Sequence, residues 1–331
     1  MANGTFTCPR CFFTTPLRAA IKFCPRCGLS DAIEASRDTA PMEITSGGRT
    51  FTVEDRIAIG SIANIYRCRF ADGSHQLEGI FKVARDPRTN HLLANEADVL
   101  RRLHAMDDQK RYGAFLPRVV QSIAMGDGSD ADPRMANILQ MHREIASPDD
   151  LYSLDEVRAH YPNGLDGRDV AWIWRRLLGI LGYVHSCGTA HGAVLPMHML
   201  IDPRDHKLLL VDWCFAVHAG QAVQRPVSVM GGGYLTWYKR DGATRTPPTA
   251  ALDIAFGARC MIELLGGDPL EAKFPESVEP GLQRHLQRCA GAASASNNAD
   301  AWRLLDDFNG LIEALWGPRK FRTFEMPRKG K

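Results

Sequence analysis

Four cysteines open the chain in two matched pairs, Cys8-Pro9-Arg10-Cys11 and Cys24-Pro25-Arg26-Cys27-Gly28. Two residues between thiolates make a tight turn that aims both sulfurs at one ion. Four sulfurs then close a tetrahedral shell with no open position, which is the chemistry of structural zinc. Cys8, Cys11, Cys24 and Cys27 are its candidate ligands. A single Cys-x-x-Cys would leave a redox pair or a disulfide open, and its duplication argues against both. A segment this short, with so little apolar mass, should not fold without the metal. A second set of reactive side chains lies far downstream. His191 and His198 bracket His191-Gly192-Ala193-Val194-Leu195-Pro196-Met197-His198, and Asp212 sits in Leu210-Val211-Asp212-Trp213-Cys214. Imidazole suits transition metals better than hard magnesium. His198 is thus a candidate manganese or zinc contact, with packing as its commoner role.

Residues 1–30 resemble short zinc ribbons. They carry Arg10, Arg18, Lys22 and Arg26, with no acidic residue before Asp31. A basic knuckle suits docking on an acidic protein surface, with nucleic acid as the alternative partner. The plainer reading is a solvated face around Phe6, Phe12, Phe13 and Phe23. Over its 331 residues the chain has a formal net charge of +2 and 45% apolar residues. That supports a sizeable core and does not demand a polyanionic partner. No apolar run reaches the ~18 residues of a membrane span, and the N-terminus lacks a basic-then-apolar leader. A cytoplasmic protein without membrane contact is expected. The remaining cysteines, Cys68, Cys187, Cys214, Cys260 and Cys289, sit in apolar surroundings and read as small buried hydrophobes.

The elements that position these residues follow from patterning. Residues 31–48, rich in small and mixed-charge types, read as a linker. Residues 49–317 alternate strand-like and helix-like patterns, and 318–331 form a basic tail, for which a frayed terminus is the usual state. Arg49 to Val53, Ala58 to Phe70 and Gly79 to Val83 read as an antiparallel meander closed at Asp72-Gly73. Leu92, Leu93, Ala97, Leu100 and Leu103 mark one stripe of a helix over about 90–104. Strands follow near 118–125 and 135–142. Helices are expected over 168–186, over 249–265 with a stop at Gly266-Gly267, and over 299–316 with Leu305, Phe308, Ile312 and Leu315 inward. Strands first and helices later imply an α+β protein with two lobes and a cleft between them.

Within 49–317 several ordered motifs resemble the eukaryotic-type protein kinase fold. Ala58-Ile59-Gly60-Ser61-Ile62-Ala63 is similar to the glycine-rich loop, with only Gly60 kept. Lys82, in Ile80-Phe81-Lys82-Val83, matches the strand lysine that touches phosphates and pairs with a helix glutamate, here Glu96. Ile80 replaces a small residue and narrows the place of an adenine ring. Asp212-Trp213-Cys214 matches the metal-binding Asp-Phe-Gly motif, and Asp253 resembles the aspartate that ties down the catalytic loop backbone. The resemblance implies a two-lobed protein-kinase-like fold, an antiparallel-sheet N-lobe and a mainly helical C-lobe, preceded by a small zinc ribbon. It implies ATP with magnesium or manganese, held by Gly60, Lys82, Glu96 and Asp212.

The chemistry of transfer is missing from that pattern. Where a kinase has His-Arg-Asp, then Lys and Asn, this chain has His191, Gly192, Ala193, Leu195 and His198. The Asp orients and deprotonates the acceptor hydroxyl, and its loss typically lowers the rate ~10²- to 10⁴-fold. The Ala-Pro-Glu motif and its arginine partner have no clear match. His-Gly-Ala-Val-Leu-Pro paired with Asp-Trp-Cys is similar to predicted kinase-like proteins of bacteria and phages, so the change belongs to a subfamily. The expected protein is a pseudokinase-like regulator or scaffold with a protein partner. The alternatives are an active atypical phosphotransferase or nucleotidyl transferase, and a nucleic-acid-associated regulator.

Overall fold

The computed structural model describes residues 5–7, 14–16, 41–125, 133–141, 148–218, 234–244, 246–294 and 300–327. Near the start, β1 (Thr5–Thr7) and β2 (Thr14–Pro16) pair antiparallel. Cys8, Cys11, Cys24 and Cys27 lie outside the described residues. The rest divides into two compact units. The first holds the described residues up to Ala94 together with Val119–Gln140. The second holds Asn95–Arg118, the described residues from Met141 to His218, and those from Thr236 onward.

The first unit is an antiparallel meander: β3 (Met42–Ser46), β4 (Arg49–Ile59), β5 (Ala63–Asp72) and β6 (His75–Ala84). Helix α1 (Asn90–Met106) begins in this unit and continues into the second. Strands β7 (Arg118–Met125) and β8 (Arg134–Gln140) complete the sheet in the order β3-β4-β5-β6-β8-β7. Alternation sends Phe51 and Val53 of β4, Cys68 and Phe70 of β5, and Phe81 and Val83 of β6 into one core with Ala136 and Ile138. Gly79 is required where β6 meets β8, because a Cβ there would lie 2.8 Å from the Leu139 carbonyl oxygen.

Two strand expectations need correction. Ala58 to Phe70 is two strands, because Gly60-Ser61-Ile62 turns the chain and the Gly60 amide donates to the Ala63 carbonyl at 2.8 Å. The expected linker 31–48 includes β3, which pairs along β4 from Met42↔Val53 to Ser46↔Arg49. Ile44 packs against the core and gives that strand its reason to dock.

In the second unit β9 (Tyr152–Ser153) leads into α2 (Leu154–His160), whose start is a capping box between Ser153 and Glu156. Helix α3 (Gly167–Ser186) is capped by Asp166, and buries Val170, Trp174, Leu177, Leu181 and Val184. After it come β10 (Thr189–Ala190), β11 (Met199–Asp202), β12 (Lys207–Leu210) and β13 (Val217–His218). Strand β11 pairs with both β12 and β9, and β10 with β13. Helices α4 (Leu235–Arg240), α5 (Ala250–Leu264), α6 (Pro280–Ala290) and α7 (Ala301–Trp316) follow. α5 packs on α3 and α6, and is buried along almost its whole length. On α7 the inward stripe is Ala301, Leu304, Phe308 and Ile312, so Leu305 and Leu315 are only half-buried. The two patterns differ by a small rotation about the same helix axis. Among the described residues no helix is long and apolar enough to cross a membrane.

The described part of the basic tail, 318–327, is a strap seated on the second unit. Phe324 is buried against Trp172 and Tyr161. Phe321 stacks on His206, which stacks on Trp172 at 4.3 Å. The Tyr152 hydroxyl donates to the Pro327 carbonyl at 2.9 Å, and Arg322 reaches Asp169 at 3.4 Å. Rings and carbonyls, rather than charge alone, hold the terminus down. Phe324→Ala is expected to remove about 2–4 kcal/mol, near or below the usual range for a buried aromatic. Calorimetry should show a melting midpoint several degrees lower. An unchanged midpoint would mean that the strap contributes nothing to folding.

Candidate functional site

The loop from His191 to His198 is held by its main chain. Strand β10 delivers His191 and Gly192 to Asp253, in the first turn of α5. The Asp253 carboxylate is buried and accepts from the His191 amide at 2.7 Å and the Gly192 amide at 2.8 Å. His185 Nε2 adds a third contact at 3.1 Å, and the Tyr238 hydroxyl donates to the Gly192 carbonyl at 2.9 Å. Asp253 therefore does tie down the loop backbone, as its resemblance implies. Gly192 has φ +77°, and a Cβ there would meet the Phe215 carbonyl oxygen at 2.8 Å. Only glycine fits that position without displacement.

His191 is fully enclosed. Its Nε2 donates to the Val211 carbonyl at 3.1 Å, while Nδ1 accepts from the Ala193 amide at 3.2 Å. One donor and one acceptor suit the neutral ring. Burial pulls its pKa down to about 4, against the upward pull of Asp253. Trp213 meets the ring edge-on at 4.5 Å and is itself buried.

Asp212 takes a left-handed conformation, φ +64°, at the start of a single turn over Trp213–Phe215. Its Oδ2 lies 3.1 Å from His198 Nε2. The Trp213 amide donates to Glu96 Oε1 at 3.3 Å. Asn95, beside Glu96, donates to the Cys214 and Ala216 carbonyls at 3.2 and 2.9 Å. These bonds fix α1 to the segment after Asp212. Glu96, Asp212 and Cys214 each place one potential ligand atom within 4.8 Å of the others. Two of the four expected nucleotide-site residues, Glu96 and Asp212, are thus brought together within the second unit.

The other two belong to the first unit. Gly60 forms the β4–β5 turn, where its carbonyl accepts from Arg85 at 3.0 Å. Lys82 lies on β6 between Ile65 of β5 and Asn137 of β8, and is only 5% exposed. The four cysteines lie outside the described residues.

Sequence reasoning missed a buried ion pair. Arg259 of α5 donates through both terminal nitrogens to Asp241, at 2.6 and 2.8 Å, and both side chains are almost fully buried. Arg259 also reaches the Ala290 carbonyl and lies over the Phe256 ring. A positioning ion pair was expected to be absent with the Ala-Pro-Glu motif, yet this one ties Asp241, the residue after α4, to Arg259 of α5. The signal available was an arginine in the middle of a largely apolar helix, which demands a partner.

No family model matches the chain. A stretch of 48 residues is 42% identical to casein kinase II subunit alpha' of Saccharomyces cerevisiae (strain ATCC 204508 / S288c). That match covers 14% of this chain and 14% of the yeast protein. Together with the antiparallel sheet and the helical unit, it is compatible with a kinase-like fold.

Two outcomes test this geometry. Asp241→Ala and Arg259→Ala should each lose about 3–5 kcal/mol, since either leaves a buried charge alone. Asp241→Leu combined with Arg259→Met should recover most of that loss in chemical denaturation, whereas additive losses would refute the pairing. The second concerns acid. His285 accepts from Trp174 Nε1 at 3.0 Å, and burial, aided by Arg288, lowers its pKa to about 4 as well. Below the ordinary value of about 6.5 the unfolded chain protonates both His191 and His285, while the folded rings stay neutral. Their contribution is therefore whole above about 6.5 and declines by ~1.4 kcal/mol per pH unit per ring as pH falls toward 4. His285→Gln should remove one proton's worth of that slope between pH 7 and pH 5. An unaltered slope would show that the ring is not held neutral.

Proposed function

We propose that this chain is a kinase-like protein that does not transfer phosphate and acts as a regulatory or scaffolding protein. In this reading Gly60, Lys82, Glu96 and Asp212 hold a nucleotide such as ATP. A ribbon closed by structural zinc on Cys8, Cys11, Cys24 and Cys27 docks a protein partner.

The observation that carries the reading is the state of position 193. Ala193 is fully buried, its amide donates to His191, and its carbonyl accepts from His198 at 2.8 Å. No carboxylate stands in the loop 191–198 to accept a hydroxyl proton. A general base is typically worth ~10²- to 10⁴-fold, so phosphoryl transfer to a hydroxyl falls toward background. The retained carboxylates of Glu96 and Asp212 support ligand holding, and they are also what favours the second reading, an atypical phosphotransferase or nucleotidyl transferase.

A thermal-shift titration with ATP, comparing wild type with Lys82→Ala, tests the binding. At a hundredfold excess over Kd the ligand should stabilise the wild type by ~2.7 kcal/mol and leave the variant nearly unshifted. Incubation with labelled ATP and candidate acceptors should show no incorporation. Incorporation that Asp212→Ala abolishes would overturn the pseudokinase reading in favour of the second.

A further inference from the structure

We propose that the second unit carries a peptide-docking groove, which the chain's own strap fills until an extended segment of another protein takes its place. Chemistry defines that segment: two aromatic side chains three residues apart, with a basic residue between them, as in Phe321-Arg322-Thr323-Phe324. The groove uses none of the residues assigned above to nucleotide or zinc.

Its walls are built by the unit itself. Asp166 and Asp169 open α3, and Trp172 follows one turn on. Tyr152 lies on β9, and Tyr161 ends α2. His206 takes φ +51° in the turn between β11 and β12, where Arg176 donates to its carbonyl at 3.0 Å and its ring stacks on Trp172. These side chains hold an extended peptide by its main chain. The Tyr152 hydroxyl donates to the Pro327 carbonyl, the Tyr161 hydroxyl to that of Glu325 at 2.5 Å, and His206 Nε2 to that of Arg322. Carbonyls are common to every sequence, so specificity falls to the places for side chains. Phe324 fills one against Tyr161 and Trp172, while Phe321 lies on His206 and stays 65% exposed. Between them Arg322 faces Asp166 and Asp169. Two acids between two aromatic places select a cation between two rings.

The strap fills this groove incompletely. Trp172 Nε1 and Asp169 Oδ1 are buried without a hydrogen-bond partner, on side chains that are each more than nine-tenths buried. Arg322 Nε stops 3.4 Å from that oxygen. A buried indole N–H normally finds an acceptor, and an unspent buried polar group costs stability. The strap is also joined loosely. Gly317, at φ +73° and ψ −160°, links it to α7 in a conformation nearly reserved for glycine. Among the described residues no main-chain hydrogen bond ties 318–327 to the rest. Its release therefore breaks no helix or sheet, and an occupant that satisfies the two unspent atoms binds better than the strap does.

The probe is a fluorescein-labelled peptide of residues 318–327, added to the full chain. The Phe321→Ala, Phe324→Ala variant loosens the strap and should bind one peptide per chain, about tenfold or more tighter than wild type, where the tethered strap competes. His206→Ala added to that variant should weaken the peptide about tenfold. A peptide with both phenylalanines changed to alanine should not bind. A library that keeps only the two phenylalanines should yield a peptide about tenfold tighter than the strap sequence, an advantage that Trp172→Phe or Asp169→Asn removes. A folded variant that binds no peptide, or binds the alanine peptide equally, overturns the proposal. So does a library in which nothing exceeds the strap, which would make the strap its own best ligand. A wild-type dimer that Phe321→Ala, Phe324→Ala dissolves would give the groove to a second copy and overturn it too. Should the loosened variant not fold, 19F NMR of the wild type with 4-fluorophenylalanine at position 324 decides. Excess unlabelled peptide should move the seated resonance to the free position, and an unmoved resonance overturns the proposal.

Discussion

One carboxylate organises the second unit around the loop. Asp253 sits in the first turn of α5, a helix buried on nearly every side, and both its oxygens are taken by amides of the loop. Two buried N–H groups would otherwise lack partners, at about 1–3 kcal/mol each. The chain direction at His191 and Gly192 is thereby set before any side chain of the loop is considered. Tyr238, from α4, closes the same turn from the carbonyl side. His191 and Ala193 stand on that anchored stretch, and His198 bonds back to it through the Ala193 carbonyl.

The altered loop is consistent with itself. Gly192 occupies a left-handed conformation packed against Phe215 and Pro248, where a longer residue would have to displace main chain. Ala193 is enclosed, so an acid at that position would lose its hydration as well as gain a role. His198 bonds back to the carbonyl of the same Ala193. Two of the three departures from the kinase pattern, Ala193 and His198, thus touch directly. A loop drifting without constraint would not be expected to reconnect its replaced residues in this way.

What was legible in the sequence followed local rules. The stripe Leu92, Leu93, Ala97, Leu100 and Leu103 is buried on α1, and α5 ends before Gly266, which takes a positive φ. The role of Asp253 was legible because a resemblance supplied its partner. Other features depended on neighbours distant in the chain. The strand reading runs through Ala58 to Phe70, and Gly60 in the loop-like stretch Ala58–Ala63 is the one mark of the turn that divides it. Strand β3 is short and mostly exposed, and only pairing with β4 makes it a strand. Residue type alone could nominate His198 as a metal contact. That its Nδ1 meets the Ala193 carbonyl and its Nε2 lies 3.1 Å from Asp212 is visible only in the structure.

The C-terminal segment shows why charge counts mislead where apolar residues are interleaved. Arg319, Lys320 and Arg322 suggest a free basic tail, yet Phe321 and Phe324 accompany them. The second phenylalanine buries its ring, and the first caps a column of stacked rings ending on Trp172. Arg322, though exposed, lies within ion-pair reach of Asp166 and Asp169. A cation spent on the chain's own carboxylates adds little to attraction for a polyanion, whose binding scales with the charges left to neutralise phosphates. The case for nucleic acid therefore rests on Arg10, Arg18, Lys22 and Arg26 of the proposed ribbon more than on the tail.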